Sequence, residues 1–308
     1  MIAVVFPGQG SQKVGMGQAL AEAFPICREA FAEADRALGE PLSRVCFEGP
    51  EDRLTLTEYA QPAILAVSIA AYRLLVSRGL EPAFVAGHSL GEYSANVAAG
   101  TFSFADALRI VRRRGQYMQE AVPVGTGAMA AVLGLDADTV ARACADAADG
   151  DVVTPANLNG GGQVVIAGHR DAVRRAGVRA TELGARRVVP LAVSAPFHCA
   201  LMKPAEERLA PELRALAAQN PRVPIVANVD GALKCDRNAA IEALISQVSS
   251  PVRWEAVVRR LASEGVTTYV EVGPGMVLTG LARKIHREAH AVNFGAPEDL
   301  AAIEALLR

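Results

Sequence analysis

Ala83-Phe84-Val85-Ala86-Gly87-His88-Ser89-Leu90-Gly91-Glu92 is the stretch on which the fold turns. The apolar run from about Ala83 to Ala86 reads as a strand, and Glu92 to Ala99 reads as a helix. Between them stands Gly-x-Ser-x-Gly, a strand-to-helix turn so sharp that only glycines fit beside the serine. Such an elbow lifts the hydroxyl above a sheet and aims nearby backbone N–H groups at a bound carbonyl. The plain alternative is a glycine-rich turn around an ordinary serine. With 12 serines and 27 glycines in 308 residues, chance supplies roughly 0.1 such pentapeptide per chain. The strand before and the helix after are the context an elbow needs.

Outward from the elbow, short apolar strands alternate with longer helical patterns, which predicts an α/β protein with a mostly parallel sheet. Ile2 to Phe6 reads as the first strand and runs into Pro7-Gly8-Gln9-Gly10-Ser11, a loop feeding a helix. Helical patterns cover Glu58 to Arg78 and Ser103 to Glu120. From about residue 125 the rhythm changes. Strands are expected at Ala128–Leu133, Val152–Asn157, Gln163–Ala167 and Arg187–Val193, with helices at Ala137–Ala147 and Asp171–Leu183. That order, β-α-β-β-α-β, is the split unit of ferredoxin-like domains. A small domain at 125–195 is therefore expected inside a large one formed by 1–124 and 196–308. The large domain resumes with a helix at 201–219, a strand at Pro224–Val229 and helices around 239–249 and 254–264. A strand at Thr268–Val272 then ends in Gly273-Pro274-Gly275.

The net charge of -2 argues against a nucleic-acid binder, which carries a basic excess. Five scattered cysteines, odd in number and without a CxxC pair, favour neither a disulfide framework nor a zinc site, and fit a reduced cytoplasmic setting. No basic, apolar leader is read at the N-terminus. No apolar run approaches the ~20 residues of a membrane helix, so no membrane association is expected.

A serine nucleophile needs a base, most often histidine. Of the five histidines, His88 shares the serine's own turn and should point elsewhere, and His169 starts a helix of the small domain. His286 and His290 stand four apart on a helical pattern with no third ligand nearby, so no metal site is expected. His198, in Ser194-Ala195-Pro196-Phe197-His198-Cys199, lies where the chain re-enters the large domain, a favoured place for sites. Pro7-Gly8-Gln9-Gly10 lacks the third glycine of a dinucleotide fingerprint, since position 13 is Lys13. Its better use is to bring the Gln9 N–H to the site as an oxyanion donor beside the N–H of Leu90. On the helix after Ser103, Arg113 points away from the apolar face, while Arg112 and Arg114 flank it on opposite sides. Periodicity allows either to reach inward.

Taken in order, Phe6-Pro7-Gly8-Gln9-Gly10-Ser11-Gln12, Gly87-His88-Ser89-Leu90-Gly91-Glu92, Arg114-Gly115, His198 and Glu271-Val272-Gly273-Pro274-Gly275 resemble the malonyl-CoA:acyl carrier protein transacylase family, over residue 4 to about 285. The resemblance implies a hydrolase-like α/β large domain with a ferredoxin-like insert. It also implies roles: Ser89 as nucleophile, His198 as base, backbone N–H groups of Gln9 and Leu90 as oxyanion hole, and Arg114 as a clamp on the malonyl carboxylate. Gln247 matches a family glutamine whose backbone carbonyl orients the histidine, making a dyad without a triad acid. The Ala156-Asn157-Leu158-Asn159 segment also matches, with Gly160-Gly161 where the family usually has Ser-Pro. Phe197 resembles the malonyl-selective pattern of related polyketide acyltransferases.

The activity implied is malonyl transfer from malonyl-CoA to the phosphopantetheine thiol of an acyl carrier protein, for fatty acid or polyketide synthesis, by a monomer. Coenzyme A thioester is the substrate, and no bound cofactor or metal is implied. Arg283, Lys284 and Arg287, on one face of a helical pattern, are candidates to dock an acidic carrier. A serine esterase or thioesterase is the main rival; such enzymes place their histidine late in the chain after an acid, whereas 110 residues follow His198. A discrete acyltransferase for another extender unit, or a non-catalytic carrier-binding protein, are further alternatives. A serine-reactive probe excludes the last.

Overall fold

β1 (Ile2–Phe6) lies in the middle of a six-stranded sheet in the computed structural model, which describes residues 1–193 and 195–307. Four short helices follow it, α1 (Gln18–Ala23), α2 (Pro25–Leu38), α3 (Leu42–Glu48) and α4 (Glu51–Thr55), and then the long α5 (Thr57–Ser77). β2 (Phe84–Gly87), α6 (Gly91–Ala98) and α7 (Phe104–Glu120) complete the first half. A second layer comprises β3 (Gly127–Leu133), α8 (Ala137–Ala147), β4 (Val153–Gly160), β5 (Gln163–His169), α9 (Arg170–Glu182) and β6 (Arg187–Pro190). The chain then returns through α10 (Lys203–Arg214), β7 (Ile225–Val226), β8 (Leu233–Lys234), α11 (Arg237–Gln247) and α12 (Trp254–Ser263). It ends with β9 (Thr268–Val272), α13 (Val277–Ile285), β10 (His290–Phe294) and α14 (Leu300–Leu306).

The large sheet runs β10-β9-β1-β2-β7-β8, parallel throughout except for the β7–β8 pair. Its central strands are apolar on both sides because helices cover both faces. Val4 and Phe6 point into one core with α2, α5 and α7, while Ala3 and Val5 point into another with Trp254, Val257 and Leu281. The small sheet runs β4-β5-β3-β6 and is antiparallel, with α8 and α9 packed on it. Its spatial order is the one that β-α-β-β-α-β connectivity makes in a ferredoxin-like unit. β4 also leaves its own sheet: Asn157 bridges Val252, with Leu158 N–H donating to Val252 O at 2.8 Å.

Several elements differ from the expectations above. α5 is long and apolar enough to cross a membrane by length and composition. It is instead a core helix, apolar all round because α2 and α7 flank it. The helix expected at 201–219 ends at Arg214, because Gln219 N–H and Arg222 N–H are drawn to Thr101 O and Ala99 O at 2.7 and 2.8 Å. β6 stops at Pro190, which has no N–H to offer, and the chain turns inward at Leu191–Val193. β4 runs on to Gly160, bent by irregularities at Pro155/Asn157 and Leu158/Gly160. α13 ends at Ile285 and His290 opens β10, so His286 and His290 share no helix face, and Arg287 lies past the helix end. Arg283 is engaged in holding this corner, its Nη2 donating to Ala291 O at 2.7 Å.

Candidate active site

The elbow closes on glycine. A Cβ on Gly87 would stand 1.9 Å from the Gly91 carbonyl carbon, and one on Gly91 would stand 2.0 Å from Phe6 O, so neither position admits a side chain. Ser89 between them has φ +51°, a left-handed conformation that costs a non-glycine residue about 1–3 kcal/mol and persists only where neighbours enforce it. Asn228, just after β7, is one enforcer. Its Oδ1 accepts the Ser89 N–H at 2.7 Å, and its Nδ2 donates to Gly87 O at 2.7 Å.

Ser89 Oγ lies 2.7 Å from His198 Nε2, and His198 Nδ1 lies 2.9 Å from Gln247 O. A carbonyl only accepts, so Nδ1 carries the proton and Nε2 is left to accept from the serine hydroxyl. His198 is buried with φ +61°, so both members of the pair are held in the left-handed region. Burial, and next the charge of Arg114, push the imidazole pKa down to about 3. It is a neutral base at any ordinary pH.

Arg114 approaches from α7 with only 2% of its surface exposed. Its Nη1 donates to Gln61 Oε1 at 2.7 Å, and its Nη2 donates to Gln247 Oε1 at 2.9 Å and to Ser89 Oγ at 3.2 Å. The guanidinium lies over the Tyr93 ring, 5.3 Å from its centre. Its Nε makes no hydrogen bond, and among the described residues no acid forms an ion pair with it. Gly115 permits this placement. A Cβ there would stand 2.6 Å from Glu58 Cα, so only glycine lets α7 come close enough to α5 for Gln61 to reach the arginine. The other two arginines go elsewhere: Arg112 pairs with Glu40 and stacks on Tyr59, and Arg113 pairs with Glu212 at 3.0 Å.

Ser89, His198 and Arg114 face a cavity of about 330 Å³ that Gln9, Leu90 and Phe197 also line. The N–H groups of Gly91, Glu92 and Tyr93 are used within the α6 turn, whereas those of Gln9 and Leu90 find no acceptor among the described residues. Gln9 is tethered by its side chain, whose Nε2 donates to Thr57 Oγ1 at 3.2 Å. The remaining histidines lie apart from the serine hydroxyl. His88 Nε2 bonds Asn159 Oδ1 at 2.9 Å, His169 Nδ1 accepts from Val152 N–H at 3.0 Å, and His286 meets Tyr269 Oη at 3.0 Å.

Gln61, Asn228 and Glu92 belong to this site and escape a sequence reading. Gln61 is a polar residue deep in an apolar helix, a signal that was there to be used. Glu92, in the first turn of α6, passes for an ordinary acid at a helix N-terminus.

The chain matches the acyl transferase domain family over residues 3–297. It is 52% identical to the malonyl CoA-acyl carrier protein transacylase of Escherichia coli (strain K12) over 303 residues, covering 97% of each chain. Its structure matches an acyl carrier protein S-malonyltransferase from Vibrio cholerae with a TM-score of 0.96 and 50% identity, over 98% of this chain and 99% of that one. It also matches, with a TM-score of 0.97 and 46% identity over 99% of each chain, a malonyl-transacylase solved in complex with a type II PKS acyl-carrier protein. Agreement of this extent in sequence and in structure shows that the chain belongs to the malonyl CoA-acyl carrier protein transacylase family.

Proposed function

We propose that this protein transfers a malonyl group from malonyl-CoA to the thiol of an acyl carrier protein through an ester on Ser89. The observation that carries the substrate choice is Arg114: a buried guanidinium, 3.2 Å from the nucleophile, with no acid paired to it among the described residues. Its charge meets Glu92 only through the Gln247 amide, and a substrate carboxylate entering the cavity supplies a direct partner. Guanidinium suits that task because it presents donors in a planar fork.

The first half-reaction begins when Ser89 Oγ attacks the thioester carbonyl and its proton passes to His198 Nε2. Charge developing on the carbonyl oxygen is met by the N–H groups of Gln9 and Leu90. The intermediate collapses, the C–S bond breaks, and coenzyme A leaves as its thiol after taking the proton back from His198. In the second half-reaction the carrier thiol gives its proton to His198 and attacks the ester, and Ser89 Oγ recovers a proton as it departs. The Gln247 carbonyl keeps His198 in one tautomer throughout, and Phe197 closes the acyl end of the cavity. Coenzyme A thioester enters as substrate, and none of these steps asks for a resident cofactor. The large unit, 1–124 with 196–308, carries the reacting groups, and 125–195 walls the cavity through Met129, Asn157 and Leu191 to Val193. Five free cysteines, four of them buried, suit a reducing, cytoplasmic setting.

Intact-mass measurement after mixing with malonyl-CoA tests this reading. One malonyl adduct is expected, absent from Ser89→Ala and formed far more slowly by His198→Ala. The adduct should move to added carrier protein faster than it is lost to water. An adduct on Cys199, or faster loss to water than to carrier, overturns the reading, the latter in favour of a thioesterase.

A further inference from the structure

Behind the reacting pair lies a carboxylate that the mechanism above does not use. Glu92 is 1% exposed, and its Oε2 accepts from two donors: Gln247 Nε2 at 2.8 Å and the backbone N–H of Asn228 at 3.0 Å. Each donor reaches the catalytic pair by another route. Gln247 Nε2 also donates to Ser89 O at 2.9 Å, and its backbone carbonyl takes the His198 Nδ1 proton. Asn228 spans the elbow from Ser89 N–H to Gly87 O.

The charges on either side of Gln247 settle which way its amide faces. Glu92 sits at the Nε2 end and Arg114 at the Oε1 end. Turned the other way, the amide would aim N–H groups at a guanidinium and oxygen at a carboxylate, which puts like against like at both ends. A neutral Glu92 would remove half of that constraint and could no longer accept strongly from both donors.

We propose that ionised Glu92 is the acid of this site, a positioning residue that aligns Ser89 and His198 through Gln247 and Asn228 while its own side chain touches neither. It occupies the functional place of a triad acid at one remove. The inference rests on the transfer reading only for the identity of the reacting pair.

A pH signature follows. The charged and titratable groups around Glu92 are Arg114 from α7, Tyr93 beside it on α6, and Asp230 from the turn between β7 and β8. Burial, aided by Asp230, outweighs the bonds from Gln247 and Asn228 and the charge of Arg114, and the carboxyl is pushed up to about 7. Since His198 sits near 3, the acid limb of nucleophile reactivity in the neutral range belongs to Glu92.

The test is the rate at which a neutral alkyl fluorophosphonate labels Ser89, with loss of fluoride, from about pH 5 to 9. In the wild type the rate should fall below about pH 7, by up to tenfold per pH unit, until it levels at the rate set by a neutral Glu92. Glu92→Gln should label roughly 10- to 100-fold more slowly at pH 8, the worth of a bond to a charged group. Its profile should be flat across the same range. Asn228→Ala should be slowed yet keep the limb, since Glu92 and Gln247 remain. A wild-type profile flat from pH 8 to 5, whatever the variants do, or the same limb surviving in Glu92→Gln, overturns the proposal. If labelling behaves as expected while malonyl-CoA leaves no adduct on the wild type, the transfer reading fails and this one stands.

Discussion

Arg114 Nη2 and Ser89 Oγ stand 3.2 Å apart inside the protein, so the group proposed to recognise the acid and the group proposed to attack the thioester share one hydrogen bond. Acid recognition and reaction are thereby placed at a fixed separation. Removing one member of a buried ion pair costs about 3–5 kcal/mol, which at about 1.4 kcal/mol per decade is a loss of about 10² to 10³ or more in malonyl-transfer efficiency. Acetyl has no carboxylate to desolvate. Arg114→Ala should therefore erase or invert the preference for malonyl- over acetyl-CoA in competition kinetics. Arg114→Lys should recover only part of it, because an ammonium lacks the planar fork. Arg112→Ala, whose guanidinium belongs to Glu40 and Tyr59, should leave the ratio unchanged. A shift with Arg112→Ala and none with Arg114→Ala would assign the acid site to the wrong arginine.

Gly115→Ala should act on the same ratio from a distance. The new Cβ would stand 2.6 Å from Glu58 Cα and 2.7 Å from Thr57 O, both backbone atoms that cannot turn aside. α7 must move away from α5, at a cost of about 1–3 kcal/mol typical of overpacking. Arg114 moves with α7 and leaves Gln61. The expected result is a lowered unfolding midpoint in urea together with a reduced malonyl preference. A destabilised protein with unchanged selectivity would show that Gln61 does not matter for acid recognition.

Phe197 lines the cavity one residue before His198 and is almost buried. Phe197→Ser opens space in that cavity, which on the proposed reading would admit an α-methyl group. One methylene in a hydrophobic pocket is worth about 1–3 kcal/mol, so the methylmalonyl-to-malonyl efficiency ratio should rise roughly 10-fold or more. Efficiency with malonyl itself should change much less. If both fall together, the ring supports His198 rather than bounding the acyl group.

What could be read in advance depended on the range of the forces involved. Ser89 was legible because an elbow is local: Gly87, Gly91 and the flanking strand and helix carry its whole signal. Periodicity could not make the choice between Arg112 and Arg114, because each flanks the same apolar face, and only the resemblance pointed to Arg114. The structure settles it through α5, where Thr57, Glu58 and Gln61 meet Gly115 and Arg114 across more than fifty residues of chain. His198 stood out only by its place at a junction and by resemblance, and its partner lies 109 residues away. α4 has five residues and β8 two, too few for any periodicity to show. The helix expected to reach residue 219 stops early for a tertiary reason, the pull of Thr101 on Gln219.

Glu92 and His198 should also leave opposite marks on stability as pH falls. His198 has its folded pKa depressed to about 3, below the ordinary 6.5. Between those values the unfolded chain binds a proton that the folded protein refuses, so stability is lost as pH drops from about 6.5 towards 3. Glu92 has its folded pKa raised to about 7, above the ordinary 4.5. In that window the folded protein binds the extra proton, so its contribution is fully present below 4.5 and is lost as pH rises through 7. Each group changes the unfolding free energy by at most about 1.4 kcal/mol per pH unit. Between about 6.5 and 4.5 the two slopes oppose each other, and below that His198 acts without its counterweight. Urea unfolding at a series of pH values measures this directly. His198→Gln should flatten the acid loss by removing the destabilising titration. Glu92→Gln should steepen the loss between pH 6.5 and 4.5, since the opposing proton uptake has gone. A slope left unchanged in either variant would mean that the mutated group keeps its ordinary pKa in the folded protein, and slopes that change in the same direction would mean that one of the two shifts has the opposite sign.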